Sequence, residues 1–474
     1  MSFDFGKIYI NGQWIASQSN HFIDVENPST LEYFARVPDG NEKDIDLAVK
    51  AAQAAQSDWV DVPLATRIEM MQKMLDIFKT YQDRIVDLEI KELGAPVTFA
   101  TQTHCLLQFN RIASYIEAAK KVVEEEPHPL STVYREPLGV VACITPWNYP
   151  LGQVVQKVIP AILMGNTVVL KPSQHTPLTS FLLVDAFDRA GFPKGVINLV
   201  TGRGAAVGDA LAGHPLVDMV SFTGSTKVGV KLSQRALETV KHISLELGGK
   251  SPFIWLKSED YSRAIPKLFS SIFLNSGQTC TSLSRLLVPE EDLEAIESLL
   301  LEHVKAYTVG DPNDPNTQVG PLSSRSQFEK VSNYIQIGID EGAKLLTGGV
   351  PADADHGYFV QPTIFTHVKN TMRIAQEEIF GPVLCVITYK TLEEAIEIAN
   401  DTPYGLNAAV FGPREEAIAV AKKIKSGNVY INDAPRDIMA PFGGYKQSGI
   451  GREGGLAGLL EFTQFKTIYD HSTF

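Results

Sequence analysis

The spacing of apolar residues separates a helical beginning from a longer part of the chain in which strands and helices alternate. After Asn41, apolar residues at positions 45, 48, 49, 52 and 55 recur every three or four residues, which predicts an amphipathic helix. A second amphipathic helix is predicted from about Thr66 to Leu93. The first segment is therefore expected to be mainly helical.

From residue 140 to 250 the pattern changes to short β-rich runs separated by helical segments. The runs are VVACI, TVVLK, VINLV, MVSFT and HISLEL, and segments such as TSFLLVDAFDRAG lie between them. Strands that alternate with helices of this length form βαβ units, whose parallel sheet is covered by helices on both faces. This region is predicted to be a doubly wound α/β domain.

A second alternation of strands and helices runs from about residue 251 to 450. Strands are predicted at TIFTHV, VLCVITY, AAVFG and NVYIN, and helices at EEDLEAIESLLLEHV and TLEEAIEIAN. The stretch GDPNDPNTQVGP is rich in Gly, Pro and Asn and is predicted to be a surface loop. The final run LEFTQFKTIYD has no partner strand nearby in sequence, so it is expected to pair with a distant strand or with another subunit.

Length and charge limit the classes of protein to which this chain can belong. Its 474 residues exceed the size at which one hydrophobic core stops growing, so two or three domains are expected. The net charge of -13 and the absence of basic clusters longer than AKKIK argue against nucleic acid or an anionic membrane as the main partner. Because no apolar run is long enough to span a membrane and the beginning does not resemble a signal peptide, a cytoplasmic location is predicted.

Four cysteines occur, and one of them has an unusual setting. Cys143 and Cys385 lie in β-branched runs and Cys105 in a helical pattern, where thiols act as small apolar groups. Their spacing predicts neither a disulfide framework nor a metal site. Cys280 lies in SGQTCTS, whose small residues and free backbone N–H groups suit a nucleophile, although an inert loop cysteine is also compatible with the local sequence.

Candidate cofactor contacts lie where predicted strands end. The fingerprint G-x-G-x-x-G is absent, but TGRGAAVG and FTGSTKVG are glycine-rich turns from strand to helix, and Gly224 with Ser225 could bring backbone N–H groups to a pyrophosphate. Such turns are also common as plain connections. Lys171 follows a strand and is either a donor to ribose or phosphate or a solvated lysine.

Glu246 lies near the end of an apolar strand, where a carboxylate must be paired or functional. Desolvation there would raise its pKa towards that of a general base, and a structural glutamate in a salt bridge is an equally good interpretation.

Seven motifs together favour the functional interpretations of Cys280, Lys171 and Glu246 over the structural ones. TPWNYP, KPSQHTP, FTGSTKVG, LELGGKSP, GQTC, EEIFGPV and PFGGYKQSGIGRE occur in this order, and with YINGQW they cover essentially the whole chain. The sequence resembles the aldehyde dehydrogenase superfamily, whose members oxidise aldehydes to carboxylates with NAD or NADP. The resemblance implies a cysteine thiohemiacetal and a thioester intermediate, which is hydrolysed by a glutamate-activated water.

The resemblance also assigns catalytic residues. Cys280 would be the nucleophile and Glu246 the base, while the side-chain amide of Asn148 and the backbone N–H of Cys280 would hold the oxyanion. Glu453, in GRE, resembles an acidic residue of a proton relay.

Cofactor contacts are implied at motif positions in both halves of the chain. Gln174 and Lys227 stand where many members carry Glu. Without a carboxylate at these positions a 2′-phosphate is repelled less, so the cofactor is predicted as NAD or NADP. The implied contacts are Ile144, Pro146, Trp147, Lys171, Gln174, Gly204, Gly208, Thr223, Gly224, Ser225, Leu247, Glu378 and Phe380.

The implied architecture is α/β, with two doubly wound (Rossmann-like) domains and a small β oligomerisation element. Residues 1–117 and 137–250 would form the dinucleotide-binding domain, 251–450 the catalytic domain, and 118–136 with 451–474 the oligomerisation element of a homodimer or homotetramer. Two alternatives remain: a CoA-acylating semialdehyde dehydrogenase, and a catalytically silent structural or binding protein of the same fold.

The identity of the aldehyde stays open in the sequence. Residues expected to line the access tunnel include Thr281 and the loop 432–441, in which Arg436 either meets an anionic aldehyde or faces solvent.

Overall fold

The computed structural model describes residues 4–258 and 260–470. Residues 1–3, 259 and 471–474 lie outside the described residues. These positions fall within the predicted domains, at both chain ends and at Glu259. The domain boundaries stay a prediction.

The first sheet has the order β19-β11-β10-β7-β8-β9-β1-β2. The five strands from β7 to β11 are parallel, while β1 runs antiparallel to β9 and β19 antiparallel to β11. The predicted runs VVACI, TVVLK and MVSFT match their strands, and VINLV and HISLEL are slightly shorter than predicted. The strands are β1 Ile8–Ile10, β2 Gln13–Ile15, β7 Val140–Ile144, β8 Thr167–Lys171, β9 Ile197–Leu199, β10 Met219–Thr223, β11 His242–Glu246 and β19 Gly449–Ile450.

Helices cover both faces of this sheet, as predicted for a doubly wound domain. Alternate residues of one strand point to opposite faces, so Val141 and Cys143 join one core cluster and Ala142 and Ile144 the other. Both faces are therefore buried. The helices of the chain are α1 Glu42–Trp59, α2 Leu64–Lys79, α3 Gln82–Leu93, α4 Val97–Phe99, α5 Leu107–Ala119, α6 Pro150–Leu163, α7 Leu178–Ala190, α8 Asp209–Gly213, α9 Thr226–Leu237, α10 Ile265–Ile272, α11 Leu293–Val304, α12 Arg325–Asp340, α13 Arg373–Gln376, α14 Leu392–Asn400, α15 Arg414–Ala421 and α16 Gly455–Leu460.

Two helix predictions have different outcomes. Helix α1 begins after Asn41, whose side chain accepts hydrogen bonds from the backbone N–H groups of Lys43 and Asp44, so this prediction is confirmed. The prediction of a single helix from Thr66 to Leu93 is wrong, because the helix is interrupted at Tyr81 and forms α2 and α3. Apolar spacing does not reveal the break, since residues on both sides of it pack into the same core cluster.

The second sheet has the order β14-β15-β16-β13-β12-β17-β18. The predicted strands at TIFTHV, VLCVITY, AAVFG and NVYIN are confirmed, as are helices α11 and α14. Strands β12, β13 and β14 were not predicted, and β13 lies at the centre of the sheet. The strands are β12 Pro252–Trp255, β13 Arg285–Pro289, β14 Lys344–Thr347, β15 Thr363–Thr366, β16 Val383–Tyr389, β17 Asn407–Phe411 and β18 Asn428–Ile431.

The terminal strand belongs to a small separate sheet with the order β20-β6-β5. Strand β20 pairs antiparallel with β6 along its whole length, so it pairs with a distant strand of the same chain. Phe465 and Tyr469 on β20 are 66% and 80% exposed. The strands of this sheet and of the remaining hairpin are β3 Phe22–Glu26, β4 Tyr33–Pro38, β5 Glu125–His128, β6 Ser131–Pro137 and β20 Thr463–Tyr469.

Three cysteines lie in cores, as their sequence settings predict. Cys143 and Cys385 are buried on strands β7 and β16, and Cys105 is buried in a π-helical segment that precedes α5. Cys280 is the partly exposed exception.

Candidate active site

The backbone before Cys280 is folded into an unusually tight turn. Asn275, Ser276 and Gly277 have φ angles of 53°, 55° and 74°, in the left-handed region that favours glycine. A Cβ on Gly277 would clash with the carbonyl of Gly381, so a larger residue does not fit. The turn ends α10 and its extension and presents Cys280 at the surface of a cleft.

Cys280 is held closely by its neighbours but keeps one free donor. A Cβ on Gly249 would clash with the carbonyl oxygen of Cys280, so the two backbones meet where only hydrogen fits. Within residues 4–258 and 260–470 the backbone N–H of Cys280 donates no hydrogen bond. Burial, followed by the charges of Glu378 and Glu246, raises the pKa of the thiol to about 12.

Asn148 is fixed to the same turn by two hydrogen bonds. Its amide Nδ2 donates to the carbonyl of Gln278 at 2.9 Å, and Nδ2 of Asn275 donates to the carbonyl of Asn148 at 2.7 Å. One N–H of the Asn148 amide is therefore used in positioning, and the second is left for another acceptor. Asn148 and Cys280 line the same cleft.

Glu246 ends strand β11 as a buried carboxylate without a hydrogen-bond partner among the described residues. Its side chain is 4% exposed, and neither carboxylate oxygen accepts a hydrogen bond from any residue that the structure describes. Burial, then the negative charge of Glu453, raises its pKa well above the usual value. The interpretation of Glu246 as a structural, salt-bridged residue is wrong, since the structure gives it no ion pair among the described residues.

Glu453 is buried beside Glu246 and forms an ion pair. Its Oε1 accepts a hydrogen bond from Nζ of Lys157 at 2.7 Å, while Oε2 has no partner among the described residues. The pairing with Lys157 was not predicted, although a lysine inside the mostly apolar helix α6 is a signal for a buried charge.

Four parallel strands end side by side at the floor of the site. Ile144 pairs with Lys171 on one side and with Phe222 on the other, and Thr223 pairs with Glu246. Ligands bind at this carboxyl edge in open α/β sheets.

The cleft above this edge encloses about 150 Å³. It is lined by ten of the predicted site residues. It is also lined by Gln153, Gly248, Gln327 and Lys330, which were not predicted. Gly248 lies next to the predicted Leu247, and the other three belong to no motif. The predicted residues that line it are Pro146, Trp147, Asn148, Thr223, Gly224, Ser225, Leu247, Cys280, Glu378 and Phe380.

Lys171 is buried at the end of β8, so the interpretation as a solvated lysine is wrong. Its Nζ donates to the carbonyl of Pro172 at 2.8 Å, and burial lowers its pKa to about 8. Gln174 is half-buried three residues later, and Gly208 approaches Lys171 so that an added Cβ would lie 3.8 Å from Cδ. Gly204 is exposed and does not line the cleft.

The turn at FTGSTKVG begins helix α9 with its backbone close to the cleft. Ser225 caps the helix, and its hydroxyl accepts a hydrogen bond from the N–H of Val228 at 3.4 Å. The hydroxyl of Thr223 is buried without a partner among the described residues. Gly229 allows the helix to pack on Leu247, because an added Cβ would lie 2.6 Å from that side chain.

Glu378 and Phe380 close the opposite wall of the cleft. Oε1 of Glu378 accepts a hydrogen bond from the N–H of Gly249 at 3.0 Å, and burial raises the pKa of this carboxyl. Phe380 has a φ of 66°, and its ring meets that of Trp147 edge-on at 5.4 Å.

The described residues contain neither a cluster of metal-binding side chains nor a helix that could span a membrane. No group of three or more His, Cys, Asp or Glu side chains within residues 4–258 and 260–470 has an arrangement that could hold a metal ion. Across the same residues, no helix is both long and apolar enough to cross a membrane.

Comparison with known proteins identifies the family. Residues 14–468 match the aldehyde dehydrogenase family. A putative aldehyde dehydrogenase of Staphylococcus aureus (strain bovine RF122 / ET3-1) is 44% identical over 468 residues, which cover 98% of both chains.

Solved structures agree with this match. An aldehyde dehydrogenase of Mycobacterium tuberculosis complexed with NAD+ is similar with a TM-score of 0.97 and 40% identity over 100% of both chains. A variant of aldehyde dehydrogenase C from Pseudomonas syringae, complexed with NAD+ and octanal, has a TM-score of 0.96 and 41% identity, covering 98% of this chain and 97% of that one. The fold and the sequence thus agree, and the chain belongs to the aldehyde dehydrogenase family.

Proposed function

We propose that this enzyme oxidises an aldehyde to a carboxylate with NAD+ or NADP+, through a thioester on Cys280. The observation that carries the proposal is a partly exposed thiol and a positioned amide at one cleft, together with the buried carboxylate of Glu246, whose charge acts on the thiol and which has no hydrogen-bond partner among the described residues. These groups match the three tasks of covalent aldehyde oxidation: nucleophilic attack, oxyanion binding and activation of water.

The first step forms a bond between the Cys280 sulfur and the carbonyl carbon, while the thiol proton passes to solvent water at the partly exposed sulfur. The electron pair of the carbonyl π bond moves to oxygen, and the resulting alkoxide accepts from the second N–H of the Asn148 amide and the free N–H of Cys280. Each preorganised donor of this kind contributes on the order of 3 kcal/mol to the transition state.

A nicotinamide dinucleotide fits the remaining residues of the cleft. The unpartnered hydroxyl of Thr223 and the backbone around Gly224 and Ser225 would hold its phosphate side, and Glu378 would hold the nicotinamide side. When bound, the nicotinamide supplies the hydride acceptor for oxidation of the adduct to a thioester. NAD+ is present in the structures of both similar proteins named above, which supports the same class of cofactor here.

The second step consumes water. A carboxylate whose pKa is raised is a stronger base, so Glu246 takes a proton from water while the new C–O bond forms and the C–S bond breaks. Cys280 leaves as a thiolate and the acid is released. We assign Glu453 to the onward transfer of the proton, since its charge acts on Glu246 and its Oε2 has no partner among the described residues.

Gln174 and Lys227 support acceptance of NADP as well as NAD. Gln174 is neutral and half-buried near Lys171, and Lys227 is exposed at the start of α9. Neither side chain repels a 2′-phosphate.

We also propose the predicted division of the chain, with a dinucleotide-binding domain at 1–117 and 137–250, a catalytic domain at 251–450 and an oligomerisation element at 118–136 and 451–474. The separate β20-β6-β5 sheet, with exposed Phe465 and Tyr469, supports this element and a homodimer or homotetramer.

The proposal is tested with a broad aldehyde panel assayed with NAD and NADP separately, each with and without CoA. We expect NAD(P)H formation that does not require CoA. Cys280→Ala should abolish turnover while cofactor binding, measured by calorimetry, is retained, and Cys105→Ala serves as the matched control. A strict CoA requirement would favour the acylating alternative, and the absence of turnover with every aldehyde would favour a silent binding protein.

A further inference from the structure

Gln153 is a buried glutamine that lines the catalytic cleft and has no task in the proposed mechanism. The residue is 8% exposed, and its Oε1 is buried without a hydrogen-bond partner among the described residues. Its Nε2 likewise donates no hydrogen bond to any residue within 4–258 and 260–470. Burial of an amide without partners is costly, so a hydrogen-bonding group of a ligand is expected beside it.

Two other glutamines near the cleft use their amides to hold the backbone. Nε2 of Gln278 donates to the carbonyl of Asn275 at 3.0 Å, which fixes the tight turn before the nucleophile. Gln327 also lines the cleft, and its Nε2 donates to the carbonyl of Phe380 at 2.8 Å. The amide of Gln153, by contrast, holds no part of the described chain in place and is left for a ligand.

The start of helix α6 places Gln153 on the thiol side of the cleft. The N–H of Gln153 donates to the carbonyl of Tyr149 at 2.9 Å and closes the first turn of this helix. The hydroxyl of Tyr149 lies 2.9 Å from the hydroxyl of Thr279, the residue before Cys280. Asn148, the proposed oxyanion donor, directly precedes Tyr149. Gln153 therefore follows, by one helical turn, the residues that surround the reacting carbonyl.

The cofactor accounts for the other unpaired group of the cleft. Besides Gln153, the hydroxyl of Thr223 is the one side-chain group of the cleft lining that is buried without a partner among the described residues. Thr223 ends strand β10, where the phosphate side of the dinucleotide is proposed to bind. Gln153 lies on a different element, beside the nucleophile, and is therefore available to the aldehyde.

We propose that the Gln153 amide binds a hydroxyl group of the aldehyde, so that the preferred substrates are hydroxyaldehydes. This inference rests on the proposed aldehyde oxidation. A hydroxyl suits the amide because it can donate to Oε1 and accept from Nε2. A site that hydrogen-bonds a substrate hydroxyl discriminates against an analogue without it, because the buried amide is then left unpaired.

The test compares aldehydes in which a methyl group replaces the hydroxyl. Glycolaldehyde is compared with propanal, and 3-hydroxypropanal with butanal, by kcat/KM for the unhydrated aldehyde. In the natural sequence the hydroxyaldehyde of at least one pair should have the higher value. Gln153→Met keeps the length of the side chain and removes both hydrogen-bonding groups, so it should lower the ratio of the two values about 10- to 100-fold.

The ratio separates recognition of the substrate from a structural effect. A damaged fold lowers both kcat/KM values together, whereas loss of the amide lowers only the value for the hydroxyaldehyde. Gln56, on α1, provides the matched control, because its amide pairs at both ends with the backbone of Gly165 and Thr167. Gln56→Met should lower the stability of the fold and leave the ratio unchanged.

Two results would overturn the inference. If Gln153→Met leaves the ratio unchanged and raises KM for NAD or NADP, the amide binds the cofactor. If it changes neither quantity, a water molecule satisfies the amide and Gln153 does not select the substrate.

Binding provides a measurement that does not depend on turnover. Cys280→Ala should bind the preferred hydroxyaldehyde at least tenfold more tightly than its methyl counterpart in calorimetry, and adding Gln153→Met should remove this difference. If no aldehyde is oxidised but the difference in binding is observed, the proposed function fails while the hydroxyl site stands. If alkyl aldehydes are oxidised and no difference in binding occurs, only the hydroxyl site is refuted.

Discussion

Replacement of Glu246 by glutamine separates oxidation from hydrolysis. The substitution keeps the size of the side chain and removes its ability to accept a proton from water. Both carboxylate oxygens of Glu246 are buried without a hydrogen-bond partner among the described residues, so no existing hydrogen bond there is broken. The charge of Glu246 also raises the pKa of the Cys280 thiol. Because Glu246→Gln removes this charge, the thiolate forms at least as readily and acylation is expected to persist.

The expected effect is a large loss of steady-state rate with a retained first turnover. A positioned general base contributes about 10²- to 10⁴-fold, or about 2.7 to 5.4 kcal/mol at 1.36 kcal/mol per decade. Rapid mixing should show one equivalent of NAD(P)H per active site, followed by slow turnover. Mass spectrometry should find the acyl group on the peptide that contains Cys280.

A control and two outcomes decide the interpretation. Glu393→Gln, on exposed α14, should turn over normally. If Glu246→Gln loses the burst and the steady-state rate equally, Glu246 acts before the thioester forms. If hydrolysis continues at the normal rate, another group activates the water and the assignment of Glu246 is wrong.

Two further predictions concern stability and assembly. Lys157→Met leaves Glu453 buried without its ion-pair partner and should lower the free energy of unfolding by about 3 to 5 kcal/mol in urea titration. The control Lys120→Met, at an exposed position, should change the free energy of unfolding by less than about 1 kcal/mol. Equal effects would contradict the assignment of a buried pair. Deletion of residues 460–474 removes β20 and, with it, the pairing partner of β6, so it should dissociate the oligomer in light scattering; an unchanged mass would refute the proposed assembly.

The strands of the first sheet could be predicted because their sequences alternate sharply with helical segments. VVACI, TVVLK and MVSFT are short β-branched runs, and each is a buried strand with these bounds. Strands β12 and β13 were missed because PFIW and RLLVP are short apolar runs beside motifs interpreted for their chemistry. Periodicity alone cannot distinguish such runs from other buried segments.

The candidate site could be predicted where a motif fixes a residue, and not where residues meet only in space. Asn148, Glu246 and Cys280 lie in motifs, and the first and last of these line one cleft. Lys157 lies on helix α6, and its importance depends on Glu453, which is hundreds of positions away in the chain. Only the packing of α6 against the segment that contains Glu453 brings these two charges together.

The tight turn at Asn275, Ser276 and Gly277 separates the part of the site that reacts from the part that selects. Because backbone meets backbone at Gly277 and Gly249, this floor has no room for larger side chains and hence little freedom to vary. The cleft walls at Gln153, Gln327 and Lys330 are formed by side chains and are not constrained in this way. A new substrate preference can therefore be acquired by changes in the walls, while the sulfur and its oxyanion donors stay where they are.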